Sequence, residues 1–315
     1  MNIHEFLDLC KEGNRRYHLV GDASAGVITV LDLEGRLFTV LEKEVLNRVN
    51  PDAFIGESSA QQYLNPGGDA LWPGPEGGEL GYHYTTGSWR VPPAISSLRY
   101  RVVHAEPGKT LIRAEVDLVN DIGIGIPTIF EREIAVSSEN NALTVSVVET
   151  ITYIGTAPLP SSRALLVPWT LCQFSCGPAC KVSLPVVPVR QVSDFYEPSN
   201  SLRWTDGVRL HTKTEGNQRY QIGLSSDVEW IEYTDPSLGL TVRRTADELQ
   251  EPFRYRDIAD RPPDKKPGSF ETRYSVYNDA NGFMEIEAAG GCPDIIEPGM
   301  KLSLVVLTEY SRRTG

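Results

Sequence analysis

The sequence predicts an all-β protein, a large antiparallel sandwich or barrel of many strands. Three observations carry this. Short runs of β-branched and aromatic residues recur along most of the 315 residues, and after residue 12 almost none has helical period. Gly, Pro, Asn or Asp closes each run, and these are the residues that turn a chain. No repeat of fixed period stands out, which disfavours a propeller or a solenoid.

The elements follow in order. Residues 1–12 read as a short amphipathic helix packed on the rest. This helix lacks the basic start and continuous apolar core of a signal peptide, so a cytoplasmic location is expected. Strands are expected at 26–31, 36–41, 98–104, 110–120, 128–136 and 142–153, then at 219–224, 229–234, 238–244, 270–278, 283–288 and 301–310. Turn signals such as Leu33-Glu34-Gly35 and Glu139-Asn140-Asn141 separate neighbours at hairpin distance. The apolar Pro-rich piece at 184–189 is a poor tether, and the polar stretch at 260–267 reads as an exposed loop. With no clean linker, residues 1–315 are expected to form a single domain.

Composition narrows the function. A net charge of −12 without a long basic run disfavours nucleic acid and anionic membrane surfaces as partners. No stretch approaches the ~20 apolar residues of a spanning helix. Five cysteines, an odd number, do not suggest a disulfide framework. Cys172, Cys176 and Cys180 are evenly spaced but lack paired Cys-x2-Cys or nearby histidines, so no metal is expected there.

The segment from Leu64 to Gly78 packs five glycines and three prolines around Asp69, Trp72 and Glu76. Read from those glycines and prolines, it is an ordered loop. It offers an indole face for the C–H side of a sugar ring and carboxylates for hydroxyl protons. The plainer alternative is a turn-rich loop whose Trp plugs the edge of the core. These acids lack EF-hand spacing for calcium.

Near the end, Glu285 and Glu287 would share one face of a strand beside Phe283. Two carboxylates so close repel, and partial burial raises the pKa of one toward what a general acid or base needs. The alternative is a solvent-facing stripe on an edge strand. Glu131-Arg132-Glu133 reads as such a solvated face with cross-strand ion pairs. Trp169 and Gln173 share another face and can line a pocket with an aromatic platform and an amide. Among histidines, His83 and His211 are the candidates for a site; His4, His18 and His104 fall in helix or strand patterns. No Gly-x-Ser-x-Gly elbow supports a Ser/His/Asp triad, and no phosphate loop is present, so no nucleotide cofactor is expected.

Together these segments resemble the galactose mutarotase-like superfamily, which includes the aldose 1-epimerases. Residues 65–76 are similar to the Asn-Pro-Gly-Gly-x-x-Leu-Trp-Pro-x-Pro-Glu block of mutarotase-related families. Phe283-Met284-Glu285-Ile286-Glu287, the turn at Glu297-Pro298-Gly299 and the closing apolar strand resemble the aldose epimerase ending. The resemblance implies a large β-supersandwich that binds a mono- or oligosaccharide. It implies a Glu general base on the anomeric hydroxyl, best matched by Glu287 with Glu285 competing. It also implies a His that protonates the ring oxygen; where that His is expected, the stretch 164–173 carries Trp169, with Gln173 further along. The expected substrate-binding residues are Asp69, Trp72, Glu76, His83, Trp169 and Gln173. The implied activity is sugar epimerisation or mutarotation, and the alternative is a non-catalytic sugar-binding or sensing module.

Overall fold

The computed structural model describes residues 1–59, 62–82, 91–139 and 142–312. Among the described residues, strand pairing forms two antiparallel sheets of ten strands each, with a separate two-stranded pairing of Leu159–Pro160 with Ile295–Ile296. Val167–Ser175 and Phe283–Ala289 are covered on both faces and pair with each other at the middle of the first sheet. Across that sheet the order is Tyr17–Gly21, Ala25–Val30, Arg36–Leu41, Asp69–Gly74, Val167–Ser175, Phe283–Ala289, Tyr274–Asp279, Tyr220–Leu224 and Val192–Asp194, with Glu44–Val45 hairpinned on Arg36–Leu41. The long strands Lys109–Val119, Gly125–Glu139, Ala142–Tyr153 and Lys301–Arg312 largely alternate buried residues with half-buried or exposed ones, as expected when one face is better covered than the other. They form the body of the second sheet. Ile112, Phe130, Ile134, Ile151, Leu302 and Leu304 point inward from it to a core shared with Leu71, Cys172, Met284 and Ile286 of the first sheet.

The expected helix is present as Ile3–Glu12. Asn2 caps it by accepting from the His4 and Glu5 N–H groups, and Glu5 returns a bond to the Asn2 N–H, completing a capping box. Phe6 packs on Phe38 and Phe54, with ring centroids 4.8 and 5.3 Å apart, and so fastens the helix to the outer part of the first sheet. Among the described residues no helix is long and apolar enough to cross a membrane.

Two expectations change. The Gly/Pro-rich segment contains a strand, Asp69–Gly74, where a loop was expected. Prolines are tolerated because the neighbour on one side, Arg36–Leu41, shares only the pair Leu37–Asp69 with it. Beyond Asp69 that side has no ladder among the described residues in which Pro73 would be missed, while the other side pairs with Val167–Ser175 from Asp69 to Gly74. Arg132, expected on a solvated face, is buried against Glu149; Glu131 and Glu133 do make the surface ion pairs, to Arg113 and Lys109.

Candidate functional site

Strand parity builds the site. On Val167–Ser175, Trp169, Leu171 and Gln173 project to the face away from the second sheet, while Cys172 points inward to Tyr310. Register then sets their neighbours. Trp169 lies opposite Trp72, Leu171 opposite Glu287, Gln173 opposite Glu285, and Glu285 in turn opposite Tyr277. These residues, with Gln221, floor a cleft of about 540 Å³. Arg36, Arg48, Tyr63, Tyr196, Arg219 and Asp260 stand around it, and Glu76 reaches it from the end of the Gly/Pro segment. The size suits a small organic ligand.

Both acids of the Glu-x-Glu pair are buried at the bottom. The Trp169 Nε1–H donates to Glu287 Oε2 at 2.9 Å, and the Gln221 amide donates to both Glu287 oxygens at 3.1 and 3.2 Å. Gln173 Nε2 donates to Glu285 Oε1 at 2.6 Å, and the two carboxyls hydrogen-bond to each other. Burial raises the Glu285 pKa to about 7, offset in part by the nearby Arg36 guanidinium. Burial, and then the charge of Glu285, raise Glu287 well above the usual carboxyl range. The pair therefore holds a proton near neutral pH, which two free carboxylates would not.

The walls are fixed from behind. Glu34 accepts from Trp72 Nε1 (2.9 Å), the Tyr63 hydroxyl (2.6 Å) and Arg36 Nη2 (2.9 Å), so one buried carboxylate orients two aromatic rings and a cation. The Asn65-Pro66-Gly67-Gly68 stretch has a definite task. Gly67 takes φ +89°, and a Cβ there would meet the Arg48 carbonyl oxygen at 1.9 Å. That close approach places Asn65 where its Oδ1 accepts from Gln173 Nε2 at 3.0 Å. Arg48 lies over the Phe283 ring at 4.4 Å and donates to Gln173 Oε1 at 3.2 Å. On the opposite wall Arg219 stacks on Tyr196 at 4.1 Å.

Of the residues expected at a site, the structure brings together Trp72, Glu76, Trp169, Gln173, Glu285 and Glu287. Asp69 does not reach the cleft. It sits three positions from Trp72 on the same strand, hence on the opposite face, paired with Arg132 at 3.5 Å and Arg244 at 3.2 Å between the sheets. His83 lies outside the described residues. His211 is remote from the cleft, bonded to Ser183 Oγ (2.8 Å) and Asp206 (3.1 Å) under the Trp204 ring. Arg36, Arg48, Tyr63, Tyr196, Arg219, Gln221, Asp260 and Tyr277 were not expected there. For Gln221 a signal existed: a buried amide inside the apolar run Tyr220–Leu224 needs partners. Among the described residues no group of three or more His, Cys, Asp or Glu side chains is placed to hold a metal.

Comparison with known proteins agrees with this architecture. A family model described as "Family of unknown function (DUF6786)" matches residues 6–231. No curated protein matches the chain. A solved galactose mutarotase-like protein from Lactobacillus casei is 8% identical with a TM-score of 0.60, covering 94% of this chain and 100% of its own. A putative aldose 1-epimerase from Escherichia coli K12 is 10% identical with a TM-score of 0.56, covering 95% and 100%. A galactose mutarotase-like protein from Clostridium acetobutylicum is 8% identical with a TM-score of 0.55, covering 95% and 98%. At such identities the likeness is one of fold, and that fold is galactose mutarotase-like.

Proposed function

The chain belongs to the family of unknown function DUF6786, and we propose that its cleft binds a saccharide ring and interconverts its anomers. The observation that carries this reading is the buried Glu285–Glu287 pair, set between Trp169 and Tyr277 beneath an open polar cleft. Aromatic faces suit the C–H side of a pyranose, and amides and guanidiniums suit its hydroxyls. The mutarotase-like and aldose 1-epimerase descriptions of the solved neighbours support the same substrate class.

In the proposed step, one carboxylate of the pair takes the proton of the anomeric hydroxyl. The O–H electron pair becomes the C1=O bond, and the C1–O5 bond breaks toward the ring oxygen. No histidine among the described residues lines the cleft, and in this reading a water in the open cleft relays the proton from the carboxyl to that oxygen. Closure of the aldehyde from its other face gives the second anomer, and every proton is returned. A base whose pKa lies near the working pH is what this step requires. The lack of a described histidine also favours a second reading, a sugar-binding module without turnover.

Solution NMR of the full chain with a panel of aldoses, uronic acids and short glycans separates the readings. Saturation transfer reports binding, and exchange cross-peaks report anomer interconversion. Exchange above the protein-free rate is the expected result. Binding without exchange replaces the isomerase by the binding module, and silence across the panel removes the carbohydrate reading altogether.

A further inference from the structure

We infer that the two acids of the cleft have different tasks: Glu285 is the carboxylate that meets the ligand, and Glu287 is a positioning residue that holds it from beneath. This rests on the reading of the cleft as a saccharide site and reverses the order that the resemblance of the strand implies. Burial is the first reason. Glu285 keeps 6% of its surface open to the cleft, whereas Glu287 has none. Hydrogen bonding is the second. Glu287 is clamped by the Trp169 indole and the Gln221 amide, while among the described residues the one donor to Glu285 from a neighbouring strand is Gln173.

Electrostatics is the third. Arg36, carried by Arg36–Leu41, and Arg48 both act on Glu285, and they favour the ionised form there. On the adjacent strand Tyr277 and Asp279 face it, with Asp279 opposing the charge. From behind the sheet Arg244 reaches the Ile286 carbonyl between the two acids. Arg219 is farther along, stacked between Tyr196 and Tyr277. Apart from Glu285 itself, the groups that hydrogen-bond to Glu287 are neutral: Trp169, Gln221 and Ser275. The shared proton therefore rests on Glu287, whose hydroxyl donates to the Glu285 carboxylate while its other lone pairs accept from the indole and the amide. A neutral donor beneath a charged acceptor fixes the carboxylate oxygen that faces the cleft and lowers its pKa relative to burial alone.

Glutamate-selective 13C NMR of the ligand-free full chain reads both carboxyls directly. Glu285 is expected to ionise first. Replacing the donor by an apolar group, Glu287→Leu, should raise the Glu285 midpoint by about one pH unit, since a bond to the charged form is lost. The conservative Glu287→Gln keeps an N–H donor and should restore it to within about half a pH unit. Glu287 ionising before Glu285, or a Glu285 midpoint indifferent to both substitutions, overturns the assignment.

Anomer exchange with D-galactose as probe supplies the second arm. Glu285→Gln should remove exchange at every pH, whereas Glu287→Gln should lower it by less than tenfold. Loss of exchange in Glu287→Gln with exchange kept in Glu285→Gln overturns the proposal but leaves the isomerase reading standing. Wild-type protein that exchanges no sugar of the panel removes the isomerase reading, and the carboxyl titration still decides the order of the pair. Should Glu287→Leu fail to fold, the isosteric Glu285→Gln gives the complementary measurement. Without the anion above it, Glu287 should titrate lower, and an unmoved midpoint overturns the proposal.

Discussion

Trp72 and Trp169 stand opposite each other across paired strands, ring centroids 6.3 Å apart and planes at 77°. Each spends its indole N–H on a buried acid, Trp72 on Glu34 and Trp169 on Glu287, both at 2.9 Å. The rings are therefore fixed both by edge-to-face contact and by a hydrogen bond to a carboxyl. Their remaining faces are what the cleft can offer a ligand.

The two contributions of Trp72 separate by substitution. Trp72→Phe keeps an aromatic face and loses the bond to Glu34, which still has Tyr63 and Arg36. A loss of about 1–3 kcal/mol is expected, since a donor to a buried acid is removed. Trp72→Ala should cost about 3–5 kcal/mol through the cavity it leaves. Urea unfolding measures both. Under the saccharide reading, Trp72→Ala also weakens galactose binding at least tenfold while Trp72→Phe does not, and equal affinities would remove Trp72 from the site.

Asp69 tests the opposite case, a site-like acid that belongs to the core. With Arg132, Glu149 and Arg244 it forms a buried cluster of two cations and two anions. Asp69→Asn leaves that cluster one negative charge short, which should cost about 3–5 kcal/mol. Saccharide affinity measured below the new unfolding midpoint should stay within twofold. A selective loss of affinity with unchanged stability would contradict the placement.

Those two residues show how far the sequence could be read. Strand pattern, turn residues and the Glu-x-Glu spacing made the β architecture and the Glu285–Glu287 face legible, because period-two alternation is a local property. Asp69 was misplaced because prolines disguised a strand as a loop, and without a strand there is no parity to send Asp69 and Trp72 to opposite faces. Arg48 and Arg219 come from positions whose neighbours are decided by register between segments distant in sequence. No spacing in the chain announces that Tyr277 faces Glu285, or that Glu34 ties Trp72 to Tyr63. The block at residues 65–68 was conspicuous for its glycines, yet its task, passing beside the Arg48 carbonyl, emerges only in three dimensions.

The chain Ser183–His211–Asp206 has the residue types of a hydrolase triad with its burial inverted. Ser183 is 1% exposed, while the Asp206 carboxylate is about half exposed. A nucleophile must be open and its orienting acid held, so this arrangement cannot attack a substrate. A fluorophosphonate probe should leave Ser183 unlabelled, as read by peptide mass spectrometry. Labelling that disappears in Ser183→Ala would refute this structural role.

The acid pair should also write itself into the pH dependence of stability. Unfolded glutamates titrate near the usual 4.5, whereas burial pushes folded Glu285 up to about 7 and holds Glu287 well above the usual carboxyl range. Between those values the folded state binds more protons than the unfolded one, so unfolding free energy falls as pH rises. The stabilising protonated state is complete below about pH 4.5 and is lost as pH rises through 7, the reverse of a salt-bridged carboxylate. Each pH unit between the unfolded and folded midpoints is worth ~1.4 kcal/mol, so Glu285 alone accounts for a decline on the order of 3 kcal/mol across that window. Other groups titrate in the same range, so the comparison is with Glu285→Gln/Glu287→Gln, whose amides carry no proton to lose. Urea unfolding at half-unit steps should show the wild type declining relative to this double variant from pH 4.5 to 7. Parallel curves would mean that the two carboxyls ionise in the folded protein as they do in the unfolded chain, and that the proton at the floor of the cleft is not there.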